Sequence, residues 1–97
     1  MDLRLLRYFL AIVDTGSVTA ASKELYVAQP SLSRQLRRLE ADLDLQLFTR
    51  ADKRLVLTAA GREFVPIARD LLSRAAQART MAASIASGTS PDLVVAG

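Results

Sequence analysis

The segment from residue 28 to residue 40 constrains the fold of this 97-residue chain more than any other segment. The leucines within it and just after it are spaced by four, three and four residues, at Leu32, Leu36, Leu39 and Leu43. This spacing predicts an amphipathic helix with one apolar face. The other side carries hydroxyl, amide and guanidinium groups, from Ser31, Arg34, Gln35 and Arg38. Such groups suit the phosphates and base edges of DNA, although a helix with a merely solvated face has the same composition.

The residues before this helix predict a second, shorter helix. Ser17 is a suitable N-cap for residues 17–25, and an apolar stripe follows it at Val18, Ala21 and Leu25. Residues 26–28 then form a short turn, and Pro30 fits the first turn of the next helix, where its missing N–H is not needed. A short helix, a turn and a longer polar-faced helix predict a helix-turn-helix. Ordinary helical bundles contain the same turn, so the arrangement favours DNA binding without requiring it.

A small hairpin is predicted after the helix-turn-helix. Residues 45–48 alternate weakly between apolar and polar, residues 50–54 form a polar turn, and residues 55–57 return as a strand. Lys53 and Arg54 at the tip are suited to the minor groove or to nearby phosphates. Without the helix-turn-helix beside it, a solvated basic turn is the better interpretation of this segment.

Two further helices flank these elements. The first has its apolar side at Leu3, Leu6, Phe9, Leu10, Ile12 and Val13, and it ends at Gly16. The last begins after Thr58 as N-cap, runs to about Ser87 and is expected to bend at Pro66. A heptad seam runs along this last helix, at Phe64, Ala68, Leu71, Ala75, Ala78, Ala82 and Ile85. Because so small a domain offers little of its own surface to cover this seam, we interpret it as a dimerisation surface; the alternative is that the helix folds back on the first helix.

Five blocks of this chain resemble the N-terminal DNA-binding domain of LysR-type transcriptional regulators, in that family's order. They lie at residues 1–9, 27–36, 39–40, 47–50 and 57–61. The resemblance extends from residue 1 to about residue 90. It implies a mainly α fold: a winged helix-turn-helix with a three-helix core and a two-stranded wing, followed by a long dimerisation helix.

The resemblance also implies partners and boundaries. Residues 1–58 would be the DNA-binding domain, 59–87 the linker and dimerisation helix, and 88–97 a hinge and the truncated start of an effector-binding domain. The partner would be double-stranded DNA, bound by a homodimer with antiparallel linker helices on an interrupted inverted repeat. A tetramer is left open for the full-length protein, and a small-molecule inducer would act only through the absent C-terminal domain.

Individual residues acquire expected roles from the same resemblance. Contacts to base edges and nearby phosphates are expected from Gln29, Pro30, Ser31, Ser33 and Arg34. Contacts to phosphate or solvent are expected from Arg37 and Arg38, and wing contacts from Lys53 and Arg54. Arg50 would hold the DNA backbone or brace the wing, and Arg4 and Ser17 are weaker phosphate candidates.

The chain departs from the family pattern at three places. Asp44 stands where the family usually has glycine, so a tolerable left-handed residue is expected there. Tyr26 occupies a turn position where smaller residues are common. Asp52 places a negative charge at the wing tip, close to the expected DNA.

Composition narrows the remaining classes of function. The net charge of +3 and the pI near 10.0 permit an anionic partner but do not require one. The chain has no cysteine and no histidine, so thiol chemistry and the commonest metal ligand and general base are absent. With no secretory or transmembrane pattern, we expect a cytoplasmic protein without a metal or cofactor and without enzymatic activity. The remaining alternatives are another winged regulator, such as the molybdate-responsive type, and a helical protein-interaction module.

Overall fold

Four helices and one antiparallel hairpin make up the described part of the chain, which comprises residues 1–52 and 54–88 of the computed structural model. In chain order they are α1 (Leu3–Thr15), α2 (Val18–Leu25), α3 (Gln29–Leu43), β1 (Phe48–Ala51), β2 (Arg54–Leu57) and α4 (Ala59–Ala86). This confirms the mainly helical fold with a three-helix core, a two-stranded wing and a long last helix. Of the predicted hinge, only Gly88 lies among the described residues.

Three predicted caps fix where the helices begin and end. Gly16 ends α1 with φ 83°, a left-handed conformation that glycine adopts without strain. The Ser17 hydroxyl accepts the N–H of Ala20 at 3.0 Å and so begins α2. The Thr58 hydroxyl accepts the N–H of Gly61 at 2.9 Å and begins α4. These local contacts satisfy N–H groups that a helix leaves unpaired at its first turn.

Three described residues other than glycine also have positive φ angles: Tyr26, Asp44 and Asp52. Asp44 has φ 53° and ends α3, and its N–H bonds to carbonyl groups of the last turn of that helix. Aspartate tolerates this conformation better than most residues. The expectation of a left-handed residue in place of the family's glycine is therefore confirmed.

Phe9 is the centre of the core. Its ring lies 5.5 Å from that of Phe48 in an edge-to-face arrangement, and 5.6 Å from the ring of Phe64. Since Phe9 belongs to α1, Phe48 to the wing and Phe64 to α4, one side chain joins three elements. Such aromatic pairs contribute about 0.5–1.5 kcal/mol beyond the burial of their area. The core therefore holds the wing and the long helix in fixed positions around α1.

The first turns of α4 pack on this core, which corrects part of the predicted dimer seam. Phe64 is 6% exposed and Ala68 is 0% exposed, both inside their own chain, so neither offers surface to a second copy. Leu71 is half-buried against the same core. The alternative that the helix folds back on α1 is thus right for this part, whereas residues 76–88 are exposed. Pro66 lies inside α4, and the helix continues through it to Ala86.

An ion pair joins α4 to α1 at the surface. The guanidinium of Arg69 donates to both carboxylate oxygens of Asp14, at 2.6 and 3.4 Å. The hydrogen bond from Arg69 lowers the pKa of Asp14 below its ordinary value. The pair therefore adds a polar link between the long helix and the body of the domain.

The wing begins later in the chain than predicted. Phe48 pairs with Leu57 and Ala51 pairs with Arg54, so Arg50 lies within β1 and Arg54 begins β2. The predicted polar turn of residues 50–54 is therefore too long. Residues 45–47 precede the strand, because the N–H of Leu47 bonds to Glu40 and its carbonyl to Thr58, not to a neighbouring strand.

Candidate nucleic-acid interface

The outer face of α3 carries three arginines, because the apolar residues of the helix all lie on its inner face. Three leucines of the helix are buried in the core, Leu32, Leu36 and Leu39. Successive helical residues are rotated by about 100°, so Arg34 lies on the side opposite these leucines. Arg37 and Arg38 flank it, and all three arginines are exposed. The three guanidinium groups therefore face outward together.

The N-terminal turn of α3 presents its polar groups outward. Ala28 precedes the helix in an extended conformation and provides no side-chain cap. Gln29 and Pro30 are exposed, and Ser31 and Ser33 are half-buried beside them. The partial positive charge of a helix N-terminus favours an anion at this place.

Residues of the wing and of α3 together line two grooves. The larger, of about 810 Å³, is lined by Gln29, by Arg50 and Arg54 of the wing, and by residues 16–19 before and in α2. The smaller, of about 210 Å³, has Ser33 and Arg37 on one side and Arg50 on the other. Arg50 thus lines both grooves. Because Arg50 joins them, we call the two grooves together the basic groove. Residues predicted separately from three segments line it. Lys53, the predicted wing contact, lies outside the described residues.

Glu40 positions the wing and was not predicted to do so. Its Oε2 accepts the backbone N–H of Leu47 at 2.7 Å and that of Phe48 at 3.3 Å. These bonds tie the start of β1 to α3. The sequence carries no clear signal of this role, because Asp42 is a second acidic residue of the same helix and it is exposed.

Residues at the start of α4 also hold the segment that leads into β1. The Thr58 hydroxyl donates to the carbonyl oxygen of Gln46 at 2.5 Å, and the Thr58 N–H donates to that of Leu47 at 2.9 Å. Gly61 packs so closely that an added Cβ would collide with the Leu47 carbonyl oxygen and lie 2.7 Å from Leu57 Cδ1. The position of Arg50 and Arg54 relative to α3 is therefore determined by α3 and α4 together.

Other kinds of site find little support in the described residues. No group of three acidic, histidine or cysteine side chains among them is arranged to hold a metal ion. None of their helices is long and apolar enough to cross a bilayer. The notable polar surface is the outer face of α3 and the basic groove beside it.

This fold and surface define a winged helix-turn-helix protein. The chain belongs to the family described as "Bacterial regulatory helix-turn-helix protein, lysR family", whose model matches residues 3–62. The first three helices, both strands of the wing and the start of α4 fall within the matched residues.

Transcriptional regulators with similar sequences agree with this assignment. The HTH-type transcriptional regulator TcbR of a Pseudomonas species is 40% identical over 96 residues, covering 99% of this chain and 33% of TcbR. The regulator BenM of Acinetobacter baylyi is 44% identical over 87 residues, covering 90% of this chain and 29% of BenM. The chain therefore spans about a third of the length of these regulators.

Solved structures of the family have the same shape. A complex of the BenM DNA-binding domain with catB site 1 DNA matches with a TM-score of 0.87 and 42% identity, covering 96% of this chain and 100% of that one. A complex of the CbnR DNA-binding domain with DNA matches with a TM-score of 0.83 and 40% identity, covering 89% and 99%. Full-length CbnR with its target DNA has a TM-score of 0.81 at 39% identity, covering 87% and 29%.

Proposed function

We propose that this chain is the double-stranded DNA-binding part of a LysR-type transcriptional regulator and that it acts as a homodimer. The observation that carries the proposal is the basic groove, in which Gln29 of α3 lies beside Arg50 and Arg54 of the wing. α3 would enter the major groove and the wing the adjacent minor groove. Similar domains have been solved in complex with DNA, which supports DNA as the partner.

The residues of the surface divide into two kinds of contact. Gln29 would read adenine through its amide, and Arg34 would bind guanine or a phosphate. Pro30, Ser31 and Ser33 would lie against base edges and nearby phosphates, since they share the exposed first turns of α3. Backbone phosphates would be held by Arg37, Arg38, Arg50, Lys53 and Arg54. The first kind of contact sets specificity, and the second sets affinity.

A second copy would dock on the exposed part of α4. Large apolar side chains remain uncovered there: Ile67 is 52% exposed, Met81 66% and Ile85 68%. Together with Leu71, Arg74 and Ala78 they recur at spacings of four and three residues, which is a heptad seam. We call these residues the outer seam. Compared with the predicted seam, it contains Ile67 in place of Phe64 and Ala68. Leu71, Ala78 and Ile85 belong to both seams. Ala75 and Ala82 lie along its edge and allow close approach.

Arg74 determines how two outer seams would pair. In a parallel dimer in register, Arg74 would face its own copy, and two like charges would meet in the seam. In an antiparallel dimer with its axis at Ala76, Arg74 faces the small Ala78 and Ile67 faces Ile85. The seam therefore favours the antiparallel dimer.

The remaining assignments concern the whole regulator. Residues 1–58 would bind DNA, 59–87 would dimerise, and 88–97 would lead into an effector-binding domain. Two domains held at a fixed distance would select an interrupted inverted repeat. We further propose that the protein is cytoplasmic, that it catalyses no reaction, that an inducer acts through the effector-binding domain, and that the full-length protein forms dimers or tetramers.

Affinity for duplex DNA, measured against salt concentration, tests the proposal. Each lost phosphate contact lowers the slope of log affinity against log salt by about one. Arg34→Gln or Arg37→Gln should therefore weaken binding and reduce this slope. Arg79→Gln is the matched control, because Arg79 is an exposed arginine of α4 far along the chain from the basic groove. Salt-independent binding, or equal effects of all three variants, would contradict the proposed surface.

A further inference from the structure

Tyr26 is more exposed than any other large apolar or aromatic side chain of the described residues. It is 96% exposed in the turn between α2 and α3, whereas Tyr8 is half-buried against the core. Exposing an aromatic ring completely forgoes the burial that usually stabilises it. The ring of Tyr26 therefore adds nothing visible to the fold.

The backbone holds Tyr26 in an unfavourable conformation. It has φ 55° and ψ 42°, the left-handed region in which a residue with a Cβ is strained. Its N–H bonds to the Lys23 carbonyl, and the N–H of Val27 bonds to the Ser22 carbonyl at 3.0 Å, so the turn is well fixed. This left-handed conformation caps α2 as that of Asp44 caps α3, and it does not require an aromatic side chain. The turn thus fixes the backbone from which the exposed ring projects.

The chain limits how far Tyr26 lies from DNA bound to α3. Three peptide units separate it from Gln29, so their Cα atoms are at most about 11 Å apart. The major groove is about 12 Å wide, and phosphates line both of its edges. When the first turn of α3 occupies the groove, this distance leaves a phosphate at one of those edges within reach of the Tyr26 side chain.

We propose that the Tyr26 hydroxyl donates a hydrogen bond to a backbone phosphate at the edge of the major groove that α3 occupies. This inference rests on the proposed function. A phenol is a good neutral donor to phosphate. The neighbouring charges of Lys23 and Glu24 are opposite and both side chains are exposed, so the turn has little net attraction for phosphate besides this donor. Because phosphates carry no sequence information, the contact raises affinity for all duplexes.

Removing only the hydroxyl tests the proposal. Tyr26→Phe should weaken binding to a random-sequence duplex and to a selected duplex equally, by about tenfold, as expected for a hydrogen bond to a charged acceptor. The salt slope should not change, because no cation is lost. Tyr8→Phe is the matched control and should bind as the parent chain does. Unchanged binding of Tyr26→Phe would overturn the proposal.

Two further measurements separate a DNA contact from a structural role. Tyr26→Gly removes the strain along with the ring, so it should unfold at the same or a higher temperature while it binds DNA more weakly. In a chain labelled with fluorotyrosine, the fluorine resonance of Tyr26, identified by its loss in Tyr26→Phe, should shift on adding duplex, and that of Tyr8 should not. Weakened binding by Tyr26→Gly with normal binding by Tyr26→Phe would assign the contact to the ring and overturn the hydroxyl contact. No duplex binding by the parent chain would overturn the proposed function itself.

Discussion

Glu40 and Leu47 are joined by a hydrogen bond of 2.7 Å, from the backbone N–H of Leu47 to Oε2 of Glu40. It links the helix that would read DNA to the segment from which the wing starts. Any change in this bond moves Arg50 relative to α3, since Arg50 follows within β1. The geometry of the basic groove therefore depends on an acidic residue that lines the smaller of its two parts.

Loss of the Glu40 carboxylate should weaken both the fold and DNA binding. Glu40→Ala leaves two partly buried N–H groups without their acceptor, which costs roughly 1–3 kcal/mol. The free energy of unfolding in urea measures this loss, and duplex affinity measures the displacement of the wing. Asp42→Ala, at an exposed acidic position of the same helix, is the control. Equal stability of the two variants would show that the Glu40 bonds do not support the wing.

Gly61 should tolerate no side chain. Gly61→Ala drives a Cβ into the Leu47 carbonyl oxygen, and overpacking of this kind costs about 1–3 kcal/mol. Gly16 provides the contrast, because it has open space around it and only a left-handed backbone to satisfy. Gly16→Asn should thus be nearly neutral, while Gly61→Asn should be at least as damaging as Gly61→Ala. Melting temperatures of the three variants decide between close approach and helix propensity as the reason for Gly61.

The ion pair of Asp14 and Arg69 should make stability depend weakly on pH. Because the hydrogen bond from Arg69 lowers the pKa of Asp14 in the folded state, the pair stabilises above the unfolded pKa, near pH 4. This contribution is lost as pH falls through the lower, folded pKa. Both side chains are about half exposed, so solvent makes the effect small.

Asp14→Asn therefore should lower the melting temperature slightly at pH 7, and the difference from the parent chain should shrink at acid pH. Asp70→Asn is the control, because the pair of Asp70 and Arg74 lies within α4 and joins no second helix. A difference for Asp14→Asn that stays constant down to about pH 2 would show that the pair does not stabilise the domain.

Gln29 and Arg38 should affect DNA binding differently. Gln29→Ala removes the proposed base contact and should cost roughly 1–3 kcal/mol on the selected duplex but little on random DNA. Arg38→Gln removes a proposed phosphate contact, so it should weaken both duplexes alike and lower the salt slope. Titrations of both duplexes with both variants provide the comparison. Equal loss on both duplexes for Gln29→Ala would remove its role in reading sequence.

Cysteine cross-linking should reveal the orientation of the dimer, since the chain has no cysteine of its own. In the antiparallel pairing, Ile67→Cys and Ile85→Cys cross-link with each other when mixed, and neither cross-links with itself. A parallel pairing predicts the reverse. Ser73→Cys, on a different face of α4, is the control. Cross-links equal to those of Ser73→Cys would show that the outer seam is not the dimer surface.

The sequence predicted what local chemistry and periodicity determine. Ser17, Thr58 and Gly16 cap helices through contacts within a few residues, and the leucines of α3 repeat with the helical period. The contacts of Glu40 and Gly61 are tertiary, so neither spacing nor residue type indicated their partners. The seam of α4 shows the same limit. A heptad pattern does not distinguish a stripe that covers its own core, as at Phe64, from one that meets a partner.

Selection from a random duplex library, at two salt concentrations, measures sequence-specific binding by a dimer in one experiment. We expect enrichment of an inverted repeat with a fixed spacing, with total retention falling at the higher salt. Enrichment of a single half-site would keep DNA reading and contradict the dimer. If the chain is shown to be folded and enriches no sequence, sequence-specific DNA binding itself is contradicted.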